Sequence, residues 1–322
     1  MTSIMTNAAA MAALQTLRTI DTNLETTQNK ISSGYRVQNA ADNAAYWSIA
    51  TTMRSDNMAL STVSDALGLG AAKTDTAYTA LDSSISVIED IKAKLVAARE
   101  PGVDKTKINS ELSQLKQQLS SISKSAAFSG ENWLFNSAST AAGTKEMVAS
   151  FNRSTTGAVS VATLTFNANQ SVMIDTNDAS RGALTKNVTV TQPIANSSGT
   201  TTATYYLINA NSTTSASGTE VKLTTGTPPA NVDGMISAVD LMLTGLTKVA
   251  SDLGAINKRI SMQDNFVSTL MNVIDKGVGR LVDADMNQES TKLKALQTQQ
   301  QLGIQSLSIA NTNSQNILSL FK

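Results

Sequence analysis

All four prolines of this 322-residue chain, Pro101, Pro193, Pro228 and Pro229, fall in its middle. Positions 1–100 and 230–322 have none, and interior proline is the strongest helix breaker. Both flanks are free to run as long helices, and their apolar pattern takes that form. Leu17, Leu24 and Ile31 recur at seven-residue spacing beside Leu14 and Ile20, which is one stripe on a helix over 3–33. Such a helix is roughly 45 Å long at 1.5 Å per residue, and Gly34 follows it as helix-ending glycines do. A second pattern runs from near Asp42 towards Arg99 through Ile49, Met53, Leu60, Leu67, Leu81 and Ile88. Pro101-Gly102 marks a turn, and Ile108, Leu112, Leu115, Leu119 and Ile122 form a third helix.

Between 141 and 234 the chain becomes rich in threonine and poor in leucine and charge. Val188-Thr189-Val190-Thr191 and Thr204-Tyr205-Tyr206-Leu207-Ile208 read as strands between Gly, Ser, Asn and Pro turns. Helical spacing returns at about 235 and runs through Met235, Val239, Leu246, Leu253, Ile260 and Ile274. The last stretch, 286–321, carries Leu293, Leu296, Leu307, Ile317, Leu318 and Phe321. Helices this long need long helical partners. The expected fold is therefore mainly α, with the two flanks folded back into a long antiparallel coiled-coil or bundle rod. A β-rich module is inserted at its far end. A lone copy cannot bury the outer faces of its terminal helices, so fraying is expected there until neighbours supply partners.

Composition closes several functional classes. Net charge is zero, with 25 basic and 25 acidic residues. No Lys/Arg run offers a nucleic acid the positive surface it needs. Neither cysteine nor histidine is present, which removes the commonest nucleophile, general base and zinc ligands. No segment reaches the length of an apolar membrane span. The opening MTSIMTNAAAMAALQTLR lacks a basic start and a continuous apolar core, so it is not read as a cleavable signal. No cofactor or metal, no catalytic residue, no nucleic-acid partner and no membrane insertion are expected.

Local motifs are weak. LGLGAAKT at 67–74 has Ala72 where a phosphate loop needs glycine, and glycines on a crowded helix–helix face explain it better. DADMNQES at 283–290 begins like a calcium loop. Gln288 and Lys294, however, stand where glycine and glutamate belong, and helix capping accounts for its acids. Glu89 with Asp90, or Asp42 with Asp56, could pair for acid–base work, but nothing in the sequence gathers them in a cleft.

One stretch is specific. ISSGYRVQNAADNAAYWSIATTMRSD at 31–56 resembles the N-terminal signature of bacterial flagellin. LGAINKRISMQDNFVSTL at 253–270 is similar to that family's C-terminal rod helix. ADMNQESTKLKALQTQQQLGIQSLSIANTNSQNILSLF at 284–321 is similar to its terminal helix. The resemblance covers roughly 1–140 and 235–322. Asn43 replaces the second aspartate of the signature, and Tyr46-Trp47 are bulky where the family has small residues, a pattern similar to rhizobial and related alphaproteobacterial members. The hook–filament junction protein, or an adhesin-type secreted flagellar protein, is the alternative. The junction protein tends to carry proline where this chain has Ala44-Ala45.

The resemblance implies a structural, non-enzymatic subunit that polymerises head-to-tail into the extracellular flagellar filament. Residues 1–41 and 283–322 would form an inner coiled-coil domain lining a channel. Residues 42–140 and 235–282 would form the rod of an outer tube, and 141–234 a variable surface module. Implied interface residues are Leu17, Leu24, Ile31, Arg36, Asp42, Tyr46 and Trp47, with Leu293, Leu296, Leu307, Ile317, Leu318 and Phe321 from the other end. Implied partners are further copies or sister flagellins, an export chaperone, the type III export apparatus, and hook-associated and cap proteins. A segment read by an innate-immune receptor in other members corresponds to Asp90, Lys94 and Glu111, whose charges predict weak recognition.

Overall fold

The computed structural model describes residues 6–194 and 199–319, with side chains described as far as 312. Phe321 therefore lies outside the described residues, as do the side chains of Ile317 and Leu318 and the first three positions of the helix expected over 3–33. The chain is mainly helical: α1 (Ala8–Ser33), α2 (Ala44–Ala97), α3 (Lys105–Ser125), α4 (Pro229–Val282) and α5 (Met286–Ser319). Among the described residues, nine short strands lie between α3 and α4. The long helices of the two flanks pack on each other, α1 with α5 and α2 with α4, and a β region is inserted in the chain between them. Contacts divide the chain into two compact units, 1–59 with 270–322, and 60–269.

In the first unit α1 and α5 run antiparallel. Asn7 caps α1 by accepting the Ala10 N–H at 3.0 Å, and its side-chain amide donates to the Ala310 carbonyl at 2.9 Å. Further along, Gln300 donates to Asp21 at 2.7 Å, and Lys30 lies 3.7 Å from Glu289. The close approach is set by Gly303, where a Cβ would stand 3.2 Å from Leu17 Cγ. Both terminal segments are thus helical in a single copy, each lending the other its stripe.

In the second unit the register of α2 against α4 is marked by polar rungs. Ser64 donates to Asp264, Asn257 to Asp75, Lys92 to Asp240 and, in the turn just past α2, Arg99 to Asp233. Each step up one helix is a step down the other. Under these rungs lie Leu67, Leu81, Ile88, Ile91 and Leu95 of α2, Leu112 and Leu119 of α3, and Leu246 and Leu253 of α4, all buried. Proline does not delay α4 as the spacing suggested. The helix starts at Pro229 rather than near 235, because the first helical position needs no N–H and suits proline's fixed φ. Its first six residues therefore fall inside the segment read as β module.

The strands come as small pieces. β1 (Ala127–Phe128) and β2 (Glu131–Asn132) form a tight hairpin with Ser129 and Gly130 at positive φ. β3 (Phe135–Asn136) pairs in parallel with β6 (Ile174–Asp175). β4 (Thr144–Arg153) and β5 (Val159–Asn167) make a bulged antiparallel hairpin. β7 (Val188–Pro193) pairs with β8 (Thr200–Tyr206), which pairs in parallel with β9 (Thr219–Glu220). Leu207 and Ile208 were expected to continue the β8 strand. They turn off it instead, and their N–H groups donate to the Leu184 carbonyl. The glycines at 68 and 70 are also reassigned. Gly70 packs against Met147 of β4, not a helix, and Gly68 faces open space.

Candidate functional site

Of the residues singled out by the sequence, Asp90, Lys94 and Glu111 lie in the second unit, and the described interface residues lie at two places in the first. One is the joint between α1 and α2; the other is the α1–α5 pair.

At the joint, Gly34 takes the left-handed conformation (φ 76°) and closes α1, its N–H donating to the Lys30 carbonyl. The chain then reaches the end of α4, whose last carbonyls lack helical partners. Arg36 and Val37 N–H groups both donate to the Val282 carbonyl, at 2.7 and 3.2 Å, and the Arg36 guanidinium donates to the Leu281 carbonyl at 2.9 Å. Positive charge is favourable at a helix C-terminus. In return the Ala284 N–H donates to the Gly34 carbonyl. Val37 is buried with Ala50, Val278 and Val282, flanked by Met53, Ile274 and Leu281. The bend is therefore clasped to the turn between α4 and α5 by backbone bonds, one guanidinium and a small apolar core.

Asp42 shapes the loop locally. Its carboxylate accepts the Gln38 and Asn39 N–H groups at 2.9 Å each. Those bonds, Asn39 first, hold the carboxyl below its ordinary pKa. Asn43 then caps α2 by accepting the Tyr46 N–H at 3.0 Å, a role asparagine fills as well as aspartate. Tyr46 and Trp47 sit in the first turn of α2, exposed at 41% and 38%. Arg36 lies over the Tyr46 ring at 6.0 Å, and Arg54 over Tyr35 at 4.9 Å. The structure thus gives Arg36 and Asp42 partners within the chain, and leaves Trp47 and one side of Tyr46 exposed.

On the helix pair, Leu17, Leu24, Ile31, Leu293 and Leu307 are half-buried, and Leu296 is buried. Leu17 meets Gly303, so this stripe faces α5 of the same copy. Further apolar side chains on the flanks of both helices stay exposed. Met11 and Leu14 on α1, and Met286, Leu302, Ile304 and Ile309 on α5, are each more than 40% exposed. Two helices can cover only one face of each other, and these side chains are left open to solvent in the single copy.

Periodicity found the inner stripe and missed much of the rest. Val37, Leu281 and Val282 stand outside any long pattern, although Val37 is the one aliphatic residue in the polar stretch after Gly34. Asn7 before an alanine run was an available cap signal. Of the segment at 90–111, Asp90 is exposed on α2, while Lys94 and Glu111 form an ion pair at 2.6 Å between α2 and α3.

Known proteins match at both flanks. The bacterial flagellin N-terminal helical region matches residues 4–139, and the bacterial flagellin C-terminal helical region matches 236–321. Over its full length, and that of each relative, the chain is 65% identical to flagellin C of Rhizobium meliloti strain 1021. It is likewise 50% identical to a flagellin B of Rhizobium meliloti and 42% identical to a flagellin of Brucella melitensis.

Proposed function

The chain belongs to the bacterial flagellin family, and we propose that it polymerises head-to-tail into the helical filament of the bacterial flagellum, a structural and non-enzymatic role outside the cell. The observation that carries this reading is the set of apolar side chains that the α1–α5 pair leaves exposed, Met11 and Leu14 on α1 and Leu302, Ile304 and Ile309 on α5 among them. Neighbouring copies supply the missing cover. Because such contacts are not self-complementary they do not close, and they propagate as a helical polymer. Burial of both terminal helices by neighbours amounts to an interface of thousands of Å², the obligate class.

In this assembly 1–41 and 283–322 line the inside, 42–140 and 235–282 form the surrounding tube, and 141–234 faces outwards. The inner stripe orders each copy, while Met11, Leu14, Ile304 and Ile309 hold it to the next. Tyr46 and Trp47 add contacts beside the joint. Sister flagellins, which related bacteria possess, can co-polymerise. An export chaperone, the type III export apparatus and the hook-associated and cap proteins are its further partners. The Lys94–Glu111 pair and the charge of Asp90 weaken recognition by an innate-immune receptor.

Seeded growth tests the reading. Full-length protein added to short filament seeds should give long tubes by negative-stain microscopy. Protein lacking residues 1–33 should not, and growth of that deletion from seeds would sink the proposal.

A further inference from the structure

In the second unit a cleft of about 550 Å³ opens between the middle of α4 and the turn-rich segment from Asn169 to Lys186. That size is ordinary for a small-molecule site. Its floor is apolar, with Val172, Leu246 and Val249 buried. Its rim is polar and positive. Arg181, Lys186 and Lys248 line it against a single carboxylate, Asp252. Arg181 is held in place by Asp178 at 3.4 Å and by the Ser139 carbonyl at 3.0 Å. Lys186 and Lys248 have no ion pair among the described residues. Asp178 offsets Arg181, so Lys186 and Lys248 stand against Asp252 alone and leave a local positive balance that an anion relieves.

The remaining lining narrows the class of anion. Asn169 and Gln170 bring side-chain amides able to meet hydroxyl groups. No aromatic ring lines the cleft, so there is no platform on which a nucleobase could stack. No lining residue belongs to a strand, so no sheet edge is available to an extended acidic peptide. We propose that this cleft binds an acidic oligosaccharide, with sugar carboxylates on Lys186 and Lys248 and the C–H faces of the rings on the Val172–Leu246–Val249 floor.

Gly245 provides a clean block. It lines the cleft, and a Cβ built on it meets nothing within 4 Å. Leucine there projects into the cleft and obstructs it, and is the better helix former. The probe is tetragalacturonate, titrated calorimetrically onto purified filaments, with its methyl ester as the uncharged control and inorganic phosphate as competitor. Wild-type filaments should bind the tetrasaccharide saturably and not the ester, and binding should weaken with salt. Lys186→Gln with Lys248→Gln should weaken it about tenfold or more, and Gly245→Leu should abolish it. Filament growth, scored separately by microscopy, should be normal in all variants, so that loss of binding is distinguishable from loss of assembly. Absence of binding to wild type, unchanged binding by the variants, or displacement by equimolar phosphate would overturn the proposal. So would variants that fail to polymerise while the cleft is closed in wild-type filaments, which would give it to a neighbouring copy.

Discussion

Asp42 holds its loop by accepting two successive backbone N–H groups, and this ties the loop to pH. Its folded pKa is depressed. The stabilisation is therefore complete above the unfolded carboxylate value of about 3.9 and is lost as pH falls through the lower folded value. Amide exchange read by NMR should show Gln38 and Asn39 protected at neutral pH and open in acid, and Asp42→Ala should open them at every pH. A second residue points the other way. Thr27 of α1 is fully buried and its hydroxyl has no partner among the described residues. Thr27→Val keeps the shape and removes that unpaired group. It should stabilise the α1–α5 pair by about 1 kcal/mol, slowing amide exchange in α1 of unpolymerised protein about fivefold.

Among elements, α3 works as a ladder of side chains for a segment that has almost no regular structure. Lys105 donates to the Thr227 carbonyl, Asn109 accepts the Leu223 N–H, and Lys116 bonds Glu220 and the Val221 carbonyl. All three serve the return from β9 to α4. Burial pushes Lys116 below its ordinary pKa, and Glu220 only partly offsets that cost. Lys116→Met alone leaves Glu220 and a carbonyl unpaired and should cost about 1–2 kcal/mol in chemical denaturation. Adding Glu220→Gln should recover most of it, as replaced partly buried ion pairs often do. This ladder was not legible in the sequence, because polar residues on a helix look the same whether they meet water or backbone. The five helices were legible, since proline spacing and apolar period both bear on them locally. β3 and β6 were not, because each is two residues long and their pairing joins positions far apart in the chain. In the candidate site, spacing exposed the inner stripe. The exposed apolar side chains and the clasp at Val282 depend on which faces the fold leaves open.

For the whole molecule, the decisive quantity is apolar surface that one copy cannot hide. Ile304 and Ile309 are 56% and 68% exposed, so replacing them disturbs the single copy little. Burying one isoleucine is worth about 2 kcal/mol. Ile304→Gln or Ile309→Gln should each raise the concentration needed for filament growth by more than tenfold, measured by sedimentation. The melting of unpolymerised protein should be unchanged.

The matched rungs of α2 and α4 in the second unit have a further consequence for editing the gene. Because Ser64, Asp75, Lys92 and Arg99 are each met in order by Asp264, Asn257, Asp240 and Asp233, four codons added within one helix would misalign every later rung. The tip of the β4–β5 hairpin, residues 154–158, has no counterpart to stay in step with and is exposed throughout. A passenger peptide spliced there should leave folding intact, whereas the same peptide spliced near Thr79 should leave the chain insoluble.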